Sequence, residues 1–238
     1  MEHRHSSPAS SAEPGTLYIV ATPIGNLEDI TLRALRILGS VDMIAAEDTR
    51  HTRKLLTHHG ISRPLSSYRD HNKTRQAPHL LALLQGQHSV ALVTDAGTPG
   101  ISDPAYYLLQ TVIPHAIPVV PIPGPTAVIA ALSVAGLPTD RFVFEGFLPT
   151  KPGRRRQRLE TLSDEPRTIV LYESPHRLVR LLREVVTHLG AERRVVITRE
   201  LTKRFEEVSR GTAAALLETW QDRSLRGECT VVIAGRSL

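Results

Sequence analysis

The residues best suited to hold a ligand lie in one turn near the middle of the chain. Asp95-Ala96-Gly97-Thr98-Pro99-Gly100 follows the short apolar run 90–93, which is predicted to be a buried strand. The two glycines allow close backbone approach, and Asp95, Thr98 and Ser102 offer side-chain oxygens. Open α/β sheets bind ligands at such carboxyl ends of strands. An ordinary strand-to-helix connection is the alternative, but similar turns recur along the chain, which favours a site.

Charged side chains also follow three other predicted strands. They are the pair Glu47-Asp48, Glu173, and the segment Arg199-Glu200-Leu201-Thr202-Lys203. Carboxylates and amines in such positions can take up or donate a proton. Structural ion pairs and helix capping are the alternative roles. Of the scattered histidines, His71 is the most interesting, because it shares a loop with an aspartate and an asparagine.

Two basic clusters are candidates for contact with phosphates. Lys151-Pro152-Gly153-Arg154-Arg155-Arg156-Gln157-Arg158 contains five cations and no acid, and Arg50-His51-Thr52-Arg53-Lys54 is a second cluster. Such segments neutralise the backbone of a nucleic acid. The alternative for the first is a solvated loop and first helical turn, and for the second a local ion pair with Glu47-Asp48.

Composition narrows the class of protein. The 238 residues are 41% hydrophobic and 22% charged, which is typical of a globular chain, and the net charge of +5 permits a polyanionic partner. Residues 1–15 are polar and predict a disordered tail rather than a secretory signal. The single cysteine excludes an internal disulfide and fits the cytoplasm. We expect no membrane-spanning segment and no metal site.

The turns are positioned by alternating strands and helices. The alternation occurs five times in about the first 120 residues, which is typical of a parallel, doubly wound sheet. Prolines in 117–121 predict an edge or short strand. Later strands include a pair with no helix between them, so the second sheet should be mixed. We predict two α/β domains, 16–124 and 125–236. A serine-nucleophile elbow, Gly-x-Gly-x-x-Gly and a P-loop are all missing, which argues against serine hydrolases, standard dinucleotide dehydrogenases and P-loop NTPases.

Seven motifs, taken in order, resemble those of one family. They are Thr22-Pro23-Ile24-Gly25-Asn26-Leu27, Ala46-Glu47-Asp48-Thr49-Arg50, Asp95-Ala96-Gly97-Thr98-Pro99, Pro123-Gly124-Pro125-Thr126-Ala127, Tyr172-Glu173-Ser174-Pro175-His176-Arg177, Arg199-Glu200-Leu201-Thr202-Lys203 and Arg226-Gly227-Glu228. The family is the tetrapyrrole methylase superfamily of S-adenosylmethionine-dependent methyltransferases, and the resemblance covers about residues 15–235. Within the superfamily the sequence resembles the ribosomal branch, because residues 22–26 stand in place of the loop that is associated with porphyrinoid binding.

The resemblance implies a fold, a cofactor and the residues that hold it. It implies a homodimer, and S-adenosylmethionine in a cleft between the two α/β domains. The superfamily's Gly-Asp-Pro element matches Gly97-Thr98-Pro99, with threonine in place of aspartate. The residues expected to bind the cofactor are Pro23, Asp95, Gly97, Thr98, Ser102, Asp103, Pro123, Gly124, Thr126, Tyr172 and Leu201.

The ribosomal branch implies 2′-O-methylation of a cytidine in small-subunit (16S) ribosomal RNA. The candidates for RNA contact are Arg50, Arg53, Arg154, Arg155, Arg156 and Arg158. A ribose hydroxyl needs help to lose its proton, and Glu200 and Lys203, then Asp48 and His71, are the candidate catalytic residues. Lys203 could act as a base if its pKa were lowered, or as a cation that stabilises an alkoxide. Methylation of a corrin or porphyrin precursor and non-catalytic RNA or nucleotide binding are the alternative functions.

One feature departs from the ribosomal branch. Its members usually continue past the last strand into a small helical extension thought to help hold RNA, whereas this sequence ends at Leu238. The resemblance therefore implies either weaker RNA affinity or a truncated sequence.

Overall fold

The computed structural model describes residues 11–224 and 226–236. Within them the chain forms two compact units, one that ends at Thr126 and one that begins at Ala127. The sequence-based boundary between 124 and 125 lies two residues earlier. We describe each unit by itself.

The end of the predicted N-terminal tail contacts the first unit. Residues 1–10 of that tail lie outside the described residues. The N–H of Ala12 donates to Ser40 Oγ at 3.0 Å, and the N–H of Glu13 donates to the Tyr18 hydroxyl at 2.8 Å. The folded part of the chain thus includes residues that the sequence assigns to the tail.

The first unit is a parallel sheet with two pairs of helices. Its elements are β1 (Leu17–Val20), α1 (Leu32–Ser40), β2 (Met43–Ala46), α2 (Thr49–His58), β3 (Leu65–Ser67), α3 (Lys73–Gln85), β4 (Val90–Val93), α4 (Ala105–Val112) and β5 (Val119–Ile122). The strand order is β3-β2-β4-β1-β5, and every neighbouring pair is parallel. This confirms the predicted parallel sheet. β5, which contains Pro121, lies at an edge, where a strand tolerates a missing N–H.

Side-chain caps set the start of two helices of the first unit. Asp48 Oδ1 accepts the N–H of Arg50 at 2.8 Å, so α2 begins at Thr49. α1 begins after Thr31, whose hydroxyl accepts the N–H of Ala34, and it continues through Gly39 to Ser40. A glycine inside the last helical turn costs stability without ending the helix.

The second unit contains a mixed sheet. Its elements are α5 (Ala127–Ala135), β6 (Phe142–Phe147), α6 (Pro152–Ser163), β7 (Thr168–Glu173), α7 (Pro175–His188), β8 (Arg194–Arg199), β9 (Glu207–Thr212), α8 (Ala213–Trp220) and β10 (Cys229–Ile233). The order is β6-β7-β10-β8-β9. β6 and β7 are parallel, and the other neighbours are antiparallel, which confirms the predicted mixed sheet. The basic segment 151–158 lies mostly in α6, a full helix.

Both sheets are covered on their two faces. In the first unit, one core joins α1 and α2 to the sheet, and another joins α3 and α4 to its other face. In the second unit, α6, α7 and α8 cover one face and the apolar α5 covers the other. Each fully buried aliphatic side chain stabilises the fold by roughly 1.5–3 kcal/mol. Double-sided burial explains the nearly continuous apolar strands in the sequence.

Two general features bear on function. None of the helices in the described ranges is long and apolar enough to span a membrane. The same ranges contain no group of three or more His, Cys, Asp or Glu side chains that could hold a metal ion.

Candidate functional site

The turns after β1 and β4 are joined by backbone hydrogen bonds. The N–H of Thr22 donates to Gly97 O at 2.9 Å, and the N–H of Gly97 donates to Thr22 O at 3.0 Å. The buried Thr22 hydroxyl also donates to Thr94 O at 3.1 Å. Thr22 is a site residue that was not among the predicted ones, although its position directly before Pro23, at the end of β1, was a signal for it. The carboxyl ends of two central strands therefore form one rigid edge.

The acidic pair after β2 is attached to the same edge. Glu47 Oε2 accepts the Thr94 hydroxyl at 2.9 Å, and the N–H of Asp48 donates to Asp95 Oδ1 at 2.9 Å. Arg69, another residue that was not predicted for the site, donates through Nε to Glu47 O at 2.6 Å. These bonds fix the Asp95 side chain at the edge of the sheet and give Glu47 a structural role.

Glycine permits close packing at two points of this edge. Gly97 has φ +84°, a conformation that side chains rarely adopt, and a Cβ at Gly124 would lie 2.8 Å from the Cβ of Ala21. The Thr98 hydroxyl donates to Pro125 O at 3.4 Å, which links the β4 turn to the turn after β5. The turns that follow β1, β2, β4 and β5 thus meet at one edge, as the sequence predicts for a ligand site.

Asp103 organises the connection from β4 to α4. Its Oδ1 accepts the N–H of Ala105 at 2.8 Å, and its Oδ2 accepts the N–H of Gly100 at 2.7 Å. Ser102, beside it, is exposed and has φ +66°. The two carboxylate oxygens of Asp103 thus satisfy two backbone donors of this turn.

The second sheet brings three motifs to one edge. β10 pairs antiparallel with both β7 and β8, so Cys229 lies opposite Glu173 on one side and Arg199 on the other. β7 and β8 therefore end at the same edge, beside the start of β10. Tyr172 and Leu201, two predicted cofactor-binding residues, both pack against the core under this sheet. Burial raises the pKa of Cys229 to about 12.

Lys203 is held between two carboxylates. Its Nζ lies 2.8 Å from Glu200 Oε1 and 2.8 Å from Glu228 Oε2. Burial lowers the pKa of Lys203, but the hydrogen bonds to both carboxylates outweigh it, and the pKa is raised. Lys203 is therefore protonated at neutral pH. This corrects the hypothesis that it is a general base and leaves its role as a cation.

Two of the other candidate bases, Glu200 and Asp48, are poorly matched to neutral pH. Burial raises the pKa of Glu200, but the bonds from Lys203 and the N–H of Glu228 outweigh it and the pKa is lowered. The side-chain hydrogen bond from Arg50 is the main cause that lowers the pKa of Asp48. His71 is exposed in the loop between β3 and α3.

The basic residues of α6 are engaged within the protein. Arg155, with 1% of its side chain exposed, bonds Glu173 Oε2 at 2.9 Å and Glu184 Oε2 at 2.6 Å. It cannot reach a phosphate in solution, which corrects its assignment to RNA contact. Arg158 Nε bonds Glu145 at 2.7 Å, whereas Arg154 and Arg156 are exposed. Helical periodicity places Arg155 with the apolar Leu159 and Leu162 on the inner face, a signal available in the sequence.

The remaining predicted residues lie in or beside these edges. Pro23 is buried directly after Thr22, Pro123 is exposed after β5, and Thr126 is partly buried. Arg50 and Arg53 are exposed on α2. The structure thus gathers the predicted residues of each unit at the carboxyl ends of that unit's strands, apart from the basic helices and His71.

Comparison with known proteins defines the class. The sequence of residues 16–217 matches the family model of the tetrapyrrole (corrin/porphyrin) methylases. The chain belongs to this family of methylases.

Two relatives with high sequence identity share one name. The chain is 50% identical over 224 residues to a protein of Pseudomonas aeruginosa named ribosomal RNA small subunit methyltransferase I, covering 93% of this chain and 79% of the relative. It is 54% identical over 221 residues to the protein of that name from Synechocystis sp., with coverage of 93% and 79%.

Solved structures share the fold at low identity. Uroporphyrin-III C-methyl transferase from Thermus thermophilus complexed with S-adenyl homocysteine aligns with a TM-score of 0.64 and 18% identity, over 92% of this chain and 97% of that one. A diphthine synthase aligns with a TM-score of 0.68 and 14% identity, over 92% and 90%. At these identities the likeness concerns the fold alone.

Proposed function

We propose that the protein transfers a methyl group from S-adenosylmethionine to the 2′-hydroxyl of a cytidine in small-subunit ribosomal RNA. The observation that carries this proposal is the 50–54% identity, over 93% of the chain, to proteins named ribosomal RNA small subunit methyltransferase I. The tetrapyrrole alternative is disfavoured because the solved uroporphyrin-III enzyme is only 18% identical.

The edge of the first sheet fits the methyl donor. Gly97 and Gly124 let the turns after β4 and β5 pack closely against their neighbours and so shape this edge, and the Asp95 carboxylate, fixed through Asp48 N–H, offers an acceptor to ribose or amino groups. Thr98 and Thr126 supply hydroxyls beside them. When bound there, S-adenosylmethionine supplies an electrophilic methyl group on a sulfonium. These residues would bind and orient it, together with Pro23, Ser102, Asp103 and Pro123 of the same turns.

The polar cluster at the edge of the second sheet supports the chemistry at the ribose. In the reaction the oxygen of the 2′-hydroxyl would form a bond to the methyl carbon as the bond between that carbon and sulfur breaks, the thioether would leave, and the hydroxyl proton would pass to solvent or a base. Lys203, protonated at neutral pH, would stabilise the negative charge that develops on that oxygen. Glu200 and Glu228 hold its ammonium group in place through bonds of 2.8 Å.

The partner and setting follow from this proposal. The substrate is the small ribosomal subunit or its RNA, which places the activity in the cytoplasm. The homodimer that the family resemblance implies is part of the proposal, and the mass of the protein in solution by light scattering tests it.

A methylation assay tests the function. The protein is incubated with isotope-labelled S-adenosylmethionine and with small ribosomal subunits from a strain that lacks the activity. We expect label in the RNA at one cytidine ribose, mapped by its resistance to alkaline cleavage. Subunits that already carry the modification are the matched control and should take up no label.

The alternative functions give different results in the same assay. Label in a corrin or porphyrin precursor, and none in RNA, would support the hypothesis that the substrate is a tetrapyrrole precursor. Binding of S-adenosylmethionine with no transfer to either substrate would indicate a non-catalytic binding protein of the same fold.

A further inference from the structure

The segment 49–69 of the first unit is basic and free of acid. It contains five arginine or lysine residues and no aspartate or glutamate. Among the described residues, Arg53 and Lys54 are exposed and form no ion pair, and Arg50, which pairs with Asp48, still has 84% of its side chain exposed. The positive charge of α2 is therefore largely available to a partner.

The other basic helix, α6, has less charge to offer. Arg155 is buried between two glutamates, and Arg158 pairs with Glu145, whose side chain is only 13% exposed. The pairs of Arg156 with Glu160 and of Arg50 with Asp48 are exposed to solvent and leave both arginines accessible. The two clusters look alike in sequence, but largely buried glutamates neutralise two of the cations of α6 and none of those of α2 in the part of the chain that the structure describes. A phosphate backbone is attracted by unpaired charge, so the structure favours α2.

The exposed cations of α2 lie on one continuous face. Thr49, Arg50, Arg53, Lys54, Thr57 and His58 line a shallow depression of about 530 Å³. The opposite face of the helix buries Thr52, Leu55 and Leu56 against the sheet. Spacing of three to four residues places the cations in a row along the helix. Hydroxyl and imidazole groups beside them add hydrogen-bonding partners for phosphate oxygens.

This face begins at the proposed methyl-donor edge. Asp48 caps α2 and donates its N–H to Asp95 Oδ1 at the end of β4. The ten residues of α2 extend about 15 Å along the helix axis. A strand of RNA lying along α2 would therefore reach the edge that carries Asp95 and Gly97.

We propose that the exposed face of α2 holds the phosphate backbone of the RNA substrate next to the methyl-donor site. The inference rests on the proposed function, because it takes RNA as the substrate. It assigns phosphate contact to Arg50, Arg53 and Lys54, and it withdraws that role from α6.

The test compares two double variants with equal loss of charge. Arg53→Ala with Lys54→Ala removes two exposed cations of α2, and Arg154→Ala with Arg156→Ala removes two exposed cations at α6. Binding to small ribosomal subunits is measured by filter retention between 50 and 200 mM salt. For the α2 variant we expect weaker binding at 50 mM salt, and a slope of log K against log salt that is smaller by about 1.4, at 0.7 per single-strand phosphate contact. The α6 variant should match wild type.

Controls separate this inference from folding and from the proposed function. Both variants change exposed side chains, so circular dichroism and the affinity for S-adenosylmethionine by calorimetry should match wild type. An unchanged slope for the α2 variant, or an equal loss for the α6 variant, would overturn the inference alone if wild type methylates the subunits. Failure of wild type to methylate them would overturn the proposed function itself.

Discussion

At the scale of single residues, the site contains positions where the addition of one side-chain atom would change the packing. Gly124 faces the Cβ of Ala21, and Gly97 adopts a left-handed backbone conformation. Lys203 depends on charge, because its ammonium group is held by ion pairs with the carboxylates of Glu200 and Glu228. Each of these features can be changed by one substitution without removing a core side chain.

Replacing Gly124 with alanine should weaken cofactor binding. The new Cβ would lie 2.8 Å from the Cβ of Ala21, so the turn after β5 must shift. We expect at least a tenfold loss of affinity for S-adenosylmethionine in calorimetry. Gly153→Ala is the matched control, because a Cβ there meets nothing within 4 Å, and it should bind like wild type. Equal affinity of the two variants would remove Gly124 from the site.

Replacing Lys203 with methionine should slow methyl transfer by roughly 100-fold, the effect of losing one group that stabilises an oxyanion. Lys203→Arg should restore part of the rate, because it keeps the positive charge. The exposed Lys151→Met is the control, with the rate of wild type. Single-turnover transfer to small subunits measures all three.

The pH profile gives an independent check on Lys203. Its pKa is raised above the ordinary 10.5, so the ammonium stays charged throughout neutral and moderately basic solution. We expect the wild-type rate to show no loss from deprotonation of Lys203 as pH rises from 7 to about 10. A Lys203-dependent rise in rate centred near pH 7–8 would instead identify it as a base and contradict its role as a cation.

At the scale of elements, a buried ion network joins α6, β7 and α7. Arg155 of α6 bonds Glu173 at the end of β7 and Glu184 of α7, and Arg177 of α7 lies 2.7 Å from Glu173. Burying charge is unfavourable unless each group has partners. The network therefore fixes the position of the turn that begins α7 and explains the presence of an arginine on the inner face of α6.

Replacing Arg155 with methionine should destabilise the protein by about 3–5 kcal/mol, because the Glu173 carboxylate would lose a buried partner. Chemical denaturation followed by circular dichroism measures the change. Arg156→Met, which breaks only an exposed pair with Glu160, should cost less than about 1 kcal/mol. Similar costs for the two variants would show that the buried network adds nothing beyond an exposed pair.

At the scale of the whole molecule, paired carboxylates set the response to acid. The pKa values of Asp42, Asp48, Glu165, Glu200 and Glu207 are all lowered. Carboxylates that are more acidic when folded stabilise the fold above their unfolded pKa and lose that contribution as pH falls through the folded value. The protein should therefore become less stable as the solution is acidified from about pH 5.

Glu165 provides a specific test of this acid response. The side-chain hydrogen bond from Arg167 is the main cause that lowers the pKa of Glu165 from 4.5 to about 2. The stabilisation is complete above pH 4.5 and is lost as pH falls towards 2. Glu165→Gln should be less stable than wild type at pH 6, by less than about 1 kcal/mol, and the difference should vanish near pH 2. A difference in unfolding free energy that is constant over this range would contradict the assignment.

The sequence by itself determined the local structure and most of the edge of the first sheet. Short apolar strands followed by glycine and proline turns depend on neighbours a few residues away, so the parallel sheet and the mixed sheet were predicted correctly. Because parallel strands end at one edge, Asp95, Gly97 and Gly124 could be expected together. The charge of each basic segment could also be counted from the sequence.

Only the tertiary structure decided which charges are free. Arg155 and Arg53 occur in similar basic runs, yet Arg155 is buried between Glu173 and Glu184 while Arg53 is exposed. Folding likewise brings Glu228, which is distant in sequence, to 2.8 Å from Lys203 Nζ, where it acts with Glu200 to raise the pKa of Lys203. The electrostatic energy of a side chain depends on burial and on partners brought near by folding. The residues that neighbour a side chain in the sequence do not reveal those partners, because they come from distant parts of the chain.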